Sequence, residues 1–347
     1  MKPHLTAVLL AAATVLPAAA EDQPFQTPAL LIEKNGAAHE IWVMAATKTV
    51  LRYRETKVAM DTKDARISDY SSIYLHEPPE YTAAMDLYEG RKYKEALAKF
   101  REIKERYKPI EPMENSPAAL AGFYELECLR KLEDLDGLAT ALGKFDKDPL
   151  TRETQLRQLE LDVMWDAVRT KSWKRLEILA NERAKTRLPG DQRAQVAYCL
   201  GLALDGQNQP QEALLAYETA MTADAGASEV VARNAALRAL AIYHADPGVQ
   251  TAMKNWGTPD ENKNTKGHAD LLEAAGVADL FQMSLGAGAP LPSEYKDFLK
   301  YKPKEETATP EAKPKESKPE ASSKTEAKPK TTAKAKPKGK PGKKKRK

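Results

Sequence analysis

The segment that decides the fold runs from residue 197 to 220 and reads AYCLGLALDGQNQPQEALLAYETA. Residues 205–209 are polar, and Gly206 and Asn208 within them suit a tight turn. Pro210 then fits the first turn of a second helix, where its missing N–H costs little. Before the turn, side chains recur at the i, i+3, i+4 and i+7 positions of one helix face: Ala197, Leu200, Gly201 and Leu204. The segment therefore predicts two short helices joined by a turn.

The second of these helices carries a small-and-aromatic pattern on its inward face. Ala213 is followed four positions later by Tyr217, and Ala220 continues the same face. This spacing, after a first helix in which a small residue follows a leucine, resembles the tetratricopeptide repeat. The resemblance implies a mainly α fold, an α-solenoid of stacked helical hairpins whose first helices line a concave groove. One hairpin cannot bury its apolar face alone, so at least three must stack.

Helical periodicity extends over residues 80–245 and predicts three further hairpins before this one. The first spans Tyr81–Tyr107, the second begins after Ser116 at a proline, and the third follows Thr151. Counting the fourth hairpin, the turns have equivalent positions at Tyr93, Leu135, Trp173 and Pro210. These positions are 42, 38 and 37 residues apart, whereas the period of the family is about 34 residues.

The first and fourth hairpins fit the repeat pattern better than the two between them. The first hairpin repeats the small-and-aromatic spacing at Ala96 and Phe100. Ala84 and Gly201 also supply the small residue that the consensus places on the first helix. Larger side chains stand at the equivalent positions of the middle hairpins: Leu126 and Met164. We therefore expect the middle hairpins to be degenerate repeats with altered packing.

Residues 28–76 differ in character and predict a small antiparallel β domain. Asn35-Gly36 between two apolar runs is a strong hairpin signal. Residues 49–54 alternate with strand period, Val58 and Met60 extend that alternation, and residues 67–75 close the segment. Five short strands in so few residues resemble a small SH3-like or Sm-like barrel. A unit of this size is expected to lean on the helices that follow.

Residues 246–301 are expected to cover the end of the helical array. Ser228 is expected to cap a helix that runs to about residue 244, and Asp246-Pro247-Gly248 then ends the array. Residues 256–267 predict a loop, and apolar residues from Leu271 onward predict one more helix. Ser293 is expected to cap a short last helix that reaches residue 301. Terminal repeats need such covering elements.

Residues 1–20 are typical of a secretory signal peptide. Lys2 supplies the positive start, residues 5–16 are apolar but too short to span a bilayer, and Ala18–Ala20 provides small residues for cleavage. We therefore expect cleavage after Ala20 and an exported, periplasmic mature protein without a transmembrane span.

Residues 302–347 form a basic tail that differs sharply from the rest of the chain. They hold 17 Lys and Arg residues and six Glu, for a net charge of +11, whereas residues 1–301 carry −7. With no aromatic or branched aliphatic side chain after Tyr301 to bury, we expect the tail to be disordered. Its last residues form the most basic run, which is expected to bind polyanions such as an anionic envelope polymer or lipid: Lys343, Lys344, Lys345, Arg346 and Lys347.

Motifs that carry catalysis or bind metals or cofactors are missing from the sequence. His39-Glu40 lacks a second histidine at the spacing of a zinc protease, and Cys128 and Cys199 form no Cys-x2-Cys pair. Gly286–Gly288 lacks the third glycine of a dinucleotide-binding loop. We therefore expect no enzyme, no cofactor and no metal site, and we expect both cysteines to be buried free thiols.

Two surfaces remain as candidate binding sites, the concave groove and the basic tail. Aromatic and charged residues of the kind that suit an extended peptide or a partner helix are predicted to line the groove: Tyr88, Glu127, Arg130, Trp165, Arg169, Tyr198 and Asp205. The alternative is that Trp165 and Tyr198 simply pack between hairpins and that the charged residues face solvent.

Three functions follow from these surfaces. The first is a non-catalytic periplasmic scaffold that binds a peptide or protein in the groove. The second is a structural envelope protein tethered to an anionic surface by its tail. The third is a nucleic-acid-associated protein, which requires that the leader stay uncleaved.

Overall fold

The structure, a computed structural model, describes residues 25–302 except Ala227 and Ala287. The predicted leader at 1–20 and the basic tail from Pro303, including the run at 343–347, lie outside the described residues. Within the described part, a small antiparallel sheet comes first and helices follow it. The mainly helical fold with an N-terminal β domain is therefore confirmed.

The β domain is one antiparallel sheet with the strand order β4-β3-β2-β1-β5. Gly36, with φ of 88°, makes the turn between β1 and β2, so the predicted Asn-Gly hairpin is confirmed. A 3₁₀ turn at Ile67–Asp69 leads into the last strand. The strand bounds are β1 Thr27–Glu33, β2 Ala38–Ala46, β3 Val50–Arg54, β4 Lys63–Arg66 and β5 Tyr70–Leu75.

The prediction that Val58 and Met60 extend a strand is wrong. Both lie in the loop between β3 and β4, where they are 84% and 89% exposed. Their alternation does not produce a strand because no neighbouring strand pairs with residues 55–62. The likeness to a barrel stays a prediction, since β4 and β5 are the edges of the sheet.

The buried face of the sheet packs against the first helices, as expected for so small a unit. Ile110, in a 3₁₀ turn after the first hairpin, is fully buried and contacts β2. Phe25 meets Tyr107 edge-on with ring centroids 5.5 Å apart. The sheet and the helices therefore share one apolar core.

The described helices form four hairpins and a C-terminal group. Each helix from α1 to α9 packs against the next one in the chain. Their bounds are α1 Pro79–Glu89, α2 Tyr93–Arg106, α3 Pro117–Lys131, α4 Leu135–Leu142, α5 Glu153–Arg169, α6 Trp173–Ala184, α7 Gly190–Asp205, α8 Pro210–Ala223, α9 Glu229–Ala245, α10 Pro247–Asn255 and α11 Lys266–Leu280. The four aligned turn positions are the first residues of α2, α4, α6 and α8, which confirms the predicted alignment.

The turns inside the four hairpins have the same backbone structure. One residue in each turn has φ near +60°, two positions before the second helix begins: Arg91, Glu133, Lys171 and Asn208. The amide of the following residue donates to a carbonyl five positions back, as Lys92 donates to Leu87 at 2.9 Å and Gln209 to Leu204 at 3.0 Å. This is a Schellman-type helix end. The hairpins are thus equivalent units despite their uneven spacing.

The C-terminal elements largely follow the prediction, with three corrections. The α9 helix is present, but Ser228 does not cap it, because its hydroxyl donates to the Asp191 carbonyl at 3.2 Å. The α10 helix was not predicted, and Asp246 caps it by accepting hydrogen bonds from the Gly248 and Val249 amides. A loop precedes α11, as predicted. Residues 293–301 form a 3₁₀ segment that Ser293 does not cap.

The first hairpin also contacts the beginning of α9, so the helical row returns to its start. Arg91 Nη2 donates to the Gly226 carbonyl at 3.2 Å, and the Tyr93 hydroxyl bonds to the Glu229 carboxylate. Asn234 of α9 donates to Glu133 at 2.6 Å. We call these bonds, together with the Lys131–Glu229 pair at 3.1 Å, the closure contacts.

Candidate functional site

The inner faces of the first helices line two adjoining cavities. The closure cavity, of about 340 Å³, lies beside the closure contacts. The glutamine cavity, of about 280 Å³, lies where α3, α5 and α7 meet. Three residues line both cavities: Tyr88, Glu127 and Asp191. We call the two cavities together the inner groove.

A buried ion pair lies on α3 between the two cavities. Arg130 Nε and Nη2 donate to the two oxygens of Glu127 at 3.1 and 2.5 Å. The residues are 5% and 8% exposed, and the Tyr88 hydroxyl adds a bond to Glu127 at 3.3 Å. Burial opposes the charge of Arg130, but Glu127 outweighs it and raises the arginine pKa. The charge of Arg130 is therefore matched by Glu127 within the protein.

The second buried ion pair holds the closure contacts together. Lys131 lies 5.6 Å above the ring of Tyr93, and both residues bond to Glu229. Burial alone raises the pKa of Glu229, but the bonds from Tyr93 and Lys131 outweigh it and leave the pKa lowered. Glu229 is thus held as a carboxylate between the first hairpin and α9.

Four buried glutamines lie on α5 and α7, and three of them, Gln158, Gln192 and Gln195, form hydrogen bonds between the two helices. Gln158 and Gln195 exchange two amide hydrogen bonds of 2.9 and 3.0 Å. The Trp165 indole donates to Gln195 at 3.2 Å. Gln155 and Gln192 stand one turn earlier on the same two helices and line the glutamine cavity. The oxygens Gln155 Oε1 and Gln192 Oε1 are buried and have no hydrogen-bond partner among the described residues.

Aromatic rings form another wall of the glutamine cavity. Tyr124 lies edge-on to Phe123 and to Tyr88, with ring centroids 5.4 and 5.1 Å away. Burial raises the pKa of the Tyr124 hydroxyl, with a further contribution from the charge of Glu127. These tyrosines therefore stay neutral and act as apolar walls with polar tips.

Asp162, next to the buried glutamines, is a buried carboxyl with incomplete hydrogen bonding. Its Oδ1 accepts from Gln158 at 3.1 Å, whereas Oδ2 has no partner among the described residues. The residue is only 2% exposed. Burial, followed by the nearby Glu127 charge, raises the pKa of Asp162 to about 7.

The structure divides the predicted groove residues among separate places. Tyr88, Glu127 and Arg130 meet at the inner groove, as described above. Trp165 and Tyr198 are both 6% exposed and lie with ring centroids 6.1 Å apart, so they pack between hairpins, as the alternative stated. The expectation that Glu127 or Arg130 presents a solvent-facing charge is wrong, because each is buried against the other.

The remaining two predicted residues lie away from the shared lining of the cavities. Arg169 bonds to Asp166 at 2.8 Å and reaches Asp136 at 3.3 Å, beside an apolar cleft between α4 and α5. Asp205 accepts from the Tyr217 hydroxyl at 3.4 Å and lies 4.0 Å from Arg238 of α9. Neither residue lines the inner groove.

Sequence reasoning missed the glutamines, although the sequence contains their signal. Gln155-x2-Gln158 on α5 and Gln192-x2-Gln195 on α7 occur at equivalent positions, 37 residues apart. Polar residues that recur at equivalent inward positions indicate a shared buried network. The missed acidic residues, Asp162, Asp191 and Glu229, lie too far apart in sequence to suggest a common site.

The cysteines of the described residues are not arranged for chemistry. Cys128 and Cys199 are buried free thiols, as predicted, and burial raises the pKa of Cys128 to about 12. Among residues 25–302, leaving out 227 and 287, no cluster of His, Cys, Asp or Glu is arranged to hold a metal ion. No described helix combines the length and apolar composition that crossing a bilayer requires.

Searches with this chain against protein-family models, curated proteins and solved structures gave no match. The tetratricopeptide and SH3-like resemblances therefore stay predictions from the sequence patterns.

Proposed function

We propose that this protein is a non-catalytic scaffold that binds an extended peptide, or an extended segment of a partner protein, in the inner groove. One observation carries the proposal: cavities on the inner face combine aromatic walls with hydrogen-bonding groups from α1, α3, α5 and α7. Apolar walls with a few placed polar groups are typical of ligand sites. Their volumes, near the small end of such sites, suit single side chains of a peptide.

The repeated hairpin turns support a tetratricopeptide-like array as the frame of this site. An array of equivalent hairpins presents its first helices on one face, and such faces bind extended segments. The strand order and the turn before β5 are compatible with an SH3-like domain. We assign that domain the role of covering the first hairpin, because Ile110 and Tyr107 lie between the two.

The test is to select peptides from a random library on the full chain and then to block the groove. Thr154 is exposed and lines the glutamine cavity, so a Thr154→Trp variant fills its mouth. Thr219→Trp places the same bulk on the outer helix α8 as a control. Selected peptides are expected to lose binding to Thr154→Trp by tenfold or more and to bind Thr219→Trp normally. Equal binding to both variants would place the site elsewhere.

We further propose that the chain is exported and cleaved after Ala20. Lys2, the apolar run at 5–16 and the small residues at 18–20 support this. N-terminal sequencing of protein from a secreting bacterial host is expected to begin at Glu21. A sequence that begins at Met1 would instead favour the nucleic-acid hypothesis.

The basic tail supports a second function, tethering to an anionic envelope surface. Its net charge of +11 is opposite in sign to the rest of the chain. Attachment by counterion release weakens steeply with salt. Fractionation is therefore expected to show envelope pelleting at low salt and release at high salt, and pelleting that resists salt would contradict this role.

A further inference from the structure

Two glutamines that line the glutamine cavity carry buried oxygen atoms that accept no hydrogen bond from a described residue. Gln155 and Gln192 are 5% and 3% exposed, and the Oε1 atom of each lacks a donor in the described structure. The orientation of Gln192 is fixed, because its Nε2 donates to the Thr154 carbonyl at 3.0 Å. A buried acceptor without a donor is costly, so a ligand that donates hydrogen bonds gains affinity here.

A negative charge lines the same cavity. Asp191 is half-buried at the start of α7, and no hydrogen bond or ion pair joins its carboxylate to another described residue. Glu127 also lines the cavity, but Arg130 matches its charge. Arg152 is the opposing group, since its exposed side chain contributes a positive charge to the lining.

The aromatic wall completes a surface that favours a cation. Phe123, Tyr124 and Tyr88 meet edge to face in the lining. Rings in this arrangement present a face as well as edges, and ring faces attract ammonium groups. Unused acceptors, a carboxylate and aromatic rings therefore surround one small volume.

We propose that the glutamine cavity binds a primary ammonium group, namely the side chain of a lysine in the partner segment. An ammonium carries three N–H donors and no acceptor, which matches Gln155, Gln192 and Asp191. Its positive charge meets the aromatic wall, and its four-carbon stem reaches in from an extended chain. This inference rests on the proposed function, because the lysine belongs to the peptide in the inner groove.

The experiment uses the full chain and four blocked five-residue peptides that differ only at the central residue. That residue is lysine, trimethyl-lysine, acetyl-lysine or norleucine, and affinity is measured by NMR titration. The lysine peptide is expected to bind best, with acetyl-lysine and norleucine at least tenfold weaker. Trimethyl-lysine is expected to fall between them, because it keeps the charge and loses the N–H donors.

Two variants that are expected to change peptide affinity in opposite directions distinguish an effect on binding from an effect on folding. Asp191→Asn is expected to weaken the lysine peptide at least threefold, with Asp61→Asn, in an exposed loop, as its control. Arg152→Gln removes the opposing charge and is expected to tighten binding about twofold or more, with Arg66→Gln on β4 as its control. A variant that merely damages the fold cannot tighten binding.

Several results would overturn the lysine assignment. One is equal binding of the four peptides, and another is tighter binding of trimethyl-lysine than of lysine. A third is a set of library peptides that lack lysine yet are blocked by Thr154→Trp, which leaves the groove function intact. Library peptides that bind Thr154→Trp as tightly as the unchanged chain would instead refute the groove function itself.

Discussion

Gly201 shows at the residue scale why a small side chain is needed in the first helix of a hairpin. A Cβ atom at this position would come within 2.5 Å of the Tyr217 ring on α8. The pattern that predicted the hairpin therefore reports a real helix contact. In the middle hairpins Leu126 and Met164 are fully buried at the equivalent sites, so those helices accommodate larger side chains.

Alanine at Gly201 is expected to destabilise the protein, because the ring or the helix must move to admit a methyl group. Urea unfolding is expected to show a loss of about 1–3 kcal/mol. Gly276 of α11 is the matched control, since a Cβ atom there meets nothing within 4 Å. Gly276→Ala is expected to add about 0.5–1 kcal/mol from helix propensity alone. A stable Gly201→Ala variant would mean that the hairpin is loosely packed.

The carboxyl of Asp162 is expected to make stability depend on pH. Its pKa is about 7 in the folded protein against 3.8 in the unfolded chain, so the folded state binds the proton more tightly. Stability from this group is therefore present at low pH and is lost as pH rises from about 4 to about 7. Asp162→Asn is expected to remove this part of the pH dependence of the unfolding free energy. The variant is also expected to be more stable than the wild-type protein at pH 8. Parallel curves from chemical denaturation at pH 4–8 would refute this.

Single residues also mark the limit of sequence reasoning. Glycine, proline and Ala-x3-aromatic positions were predictable, because their requirements are local to one hairpin. The pairing of Gln158 with Gln195 depends on how α5 and α7 pack, and a polar residue at an inward position looked like solvent-facing surface. The burial of Glu127 and Arg130 was missed for the same reason.

The hairpin turn is the feature that defines the elements. Its positive-φ residue is arginine, glutamate, lysine or asparagine, so four hairpins in the described residues adopt a glycine-like conformation without glycine. The Schellman hydrogen bonds offset the free-energy cost of this left-handed conformation, because they satisfy carbonyl groups at the helix end.

Replacing Lys171 by glycine is expected to stabilise the third hairpin. Lys171 has φ of 51° and an exposed side chain that forms no hydrogen bond or ion pair with another described residue. Relief of the left-handed conformation is expected to outweigh the added chain entropy, for a net gain of up to about 1 kcal/mol. Ala98→Gly, at an exposed position in the middle of α2, is the control and is expected to lose about 1 kcal/mol. Thermal unfolding of both variants measures the difference, and a loss at Lys171 would contradict the interpretation.

Element boundaries followed from sequence where caps and turns were explicit. Ser116 caps α3 by accepting from the Ala119 amide at 3.1 Å, as its position before proline predicted. The α10 helix was missed because Pro247-Gly248 reads as a terminator, although Asp246 caps a helix that begins at that proline. Residues 246–248 therefore carry both the signal that ends α9 and the signal that begins α10.

At the scale of the whole molecule, the closure contacts join parts of the chain more than 90 residues apart. Glu229 bonds both to Tyr93, 136 residues away, and to Lys131, 98 residues away. No local pattern specifies such a contact, so the sequence predicted an open groove and not this closure.

Glu229→Gln is expected to destabilise the whole helical array rather than α9 alone. The substitution removes the buried charge that lies 3.1 Å from the Lys131 ammonium, and a loss of about 3 kcal/mol is expected. Glu182→Gln, on the exposed face of α6, is the control and is expected to change stability by less than about 0.5 kcal/mol. Urea unfolding followed by both helix content and tryptophan fluorescence measures the change. Separate transitions for the two probes would show that α9 unfolds independently.

The return of the first hairpin to α9 also restricts how this protein can change during evolution. An open row of repeats tolerates duplication or deletion of a unit, because each unit touches only its neighbours. Here one additional hairpin would separate Tyr93 from Glu229 and leave buried charges without their counterions. Related sequences should therefore differ in turn length and surface composition while they keep the same number of hairpins.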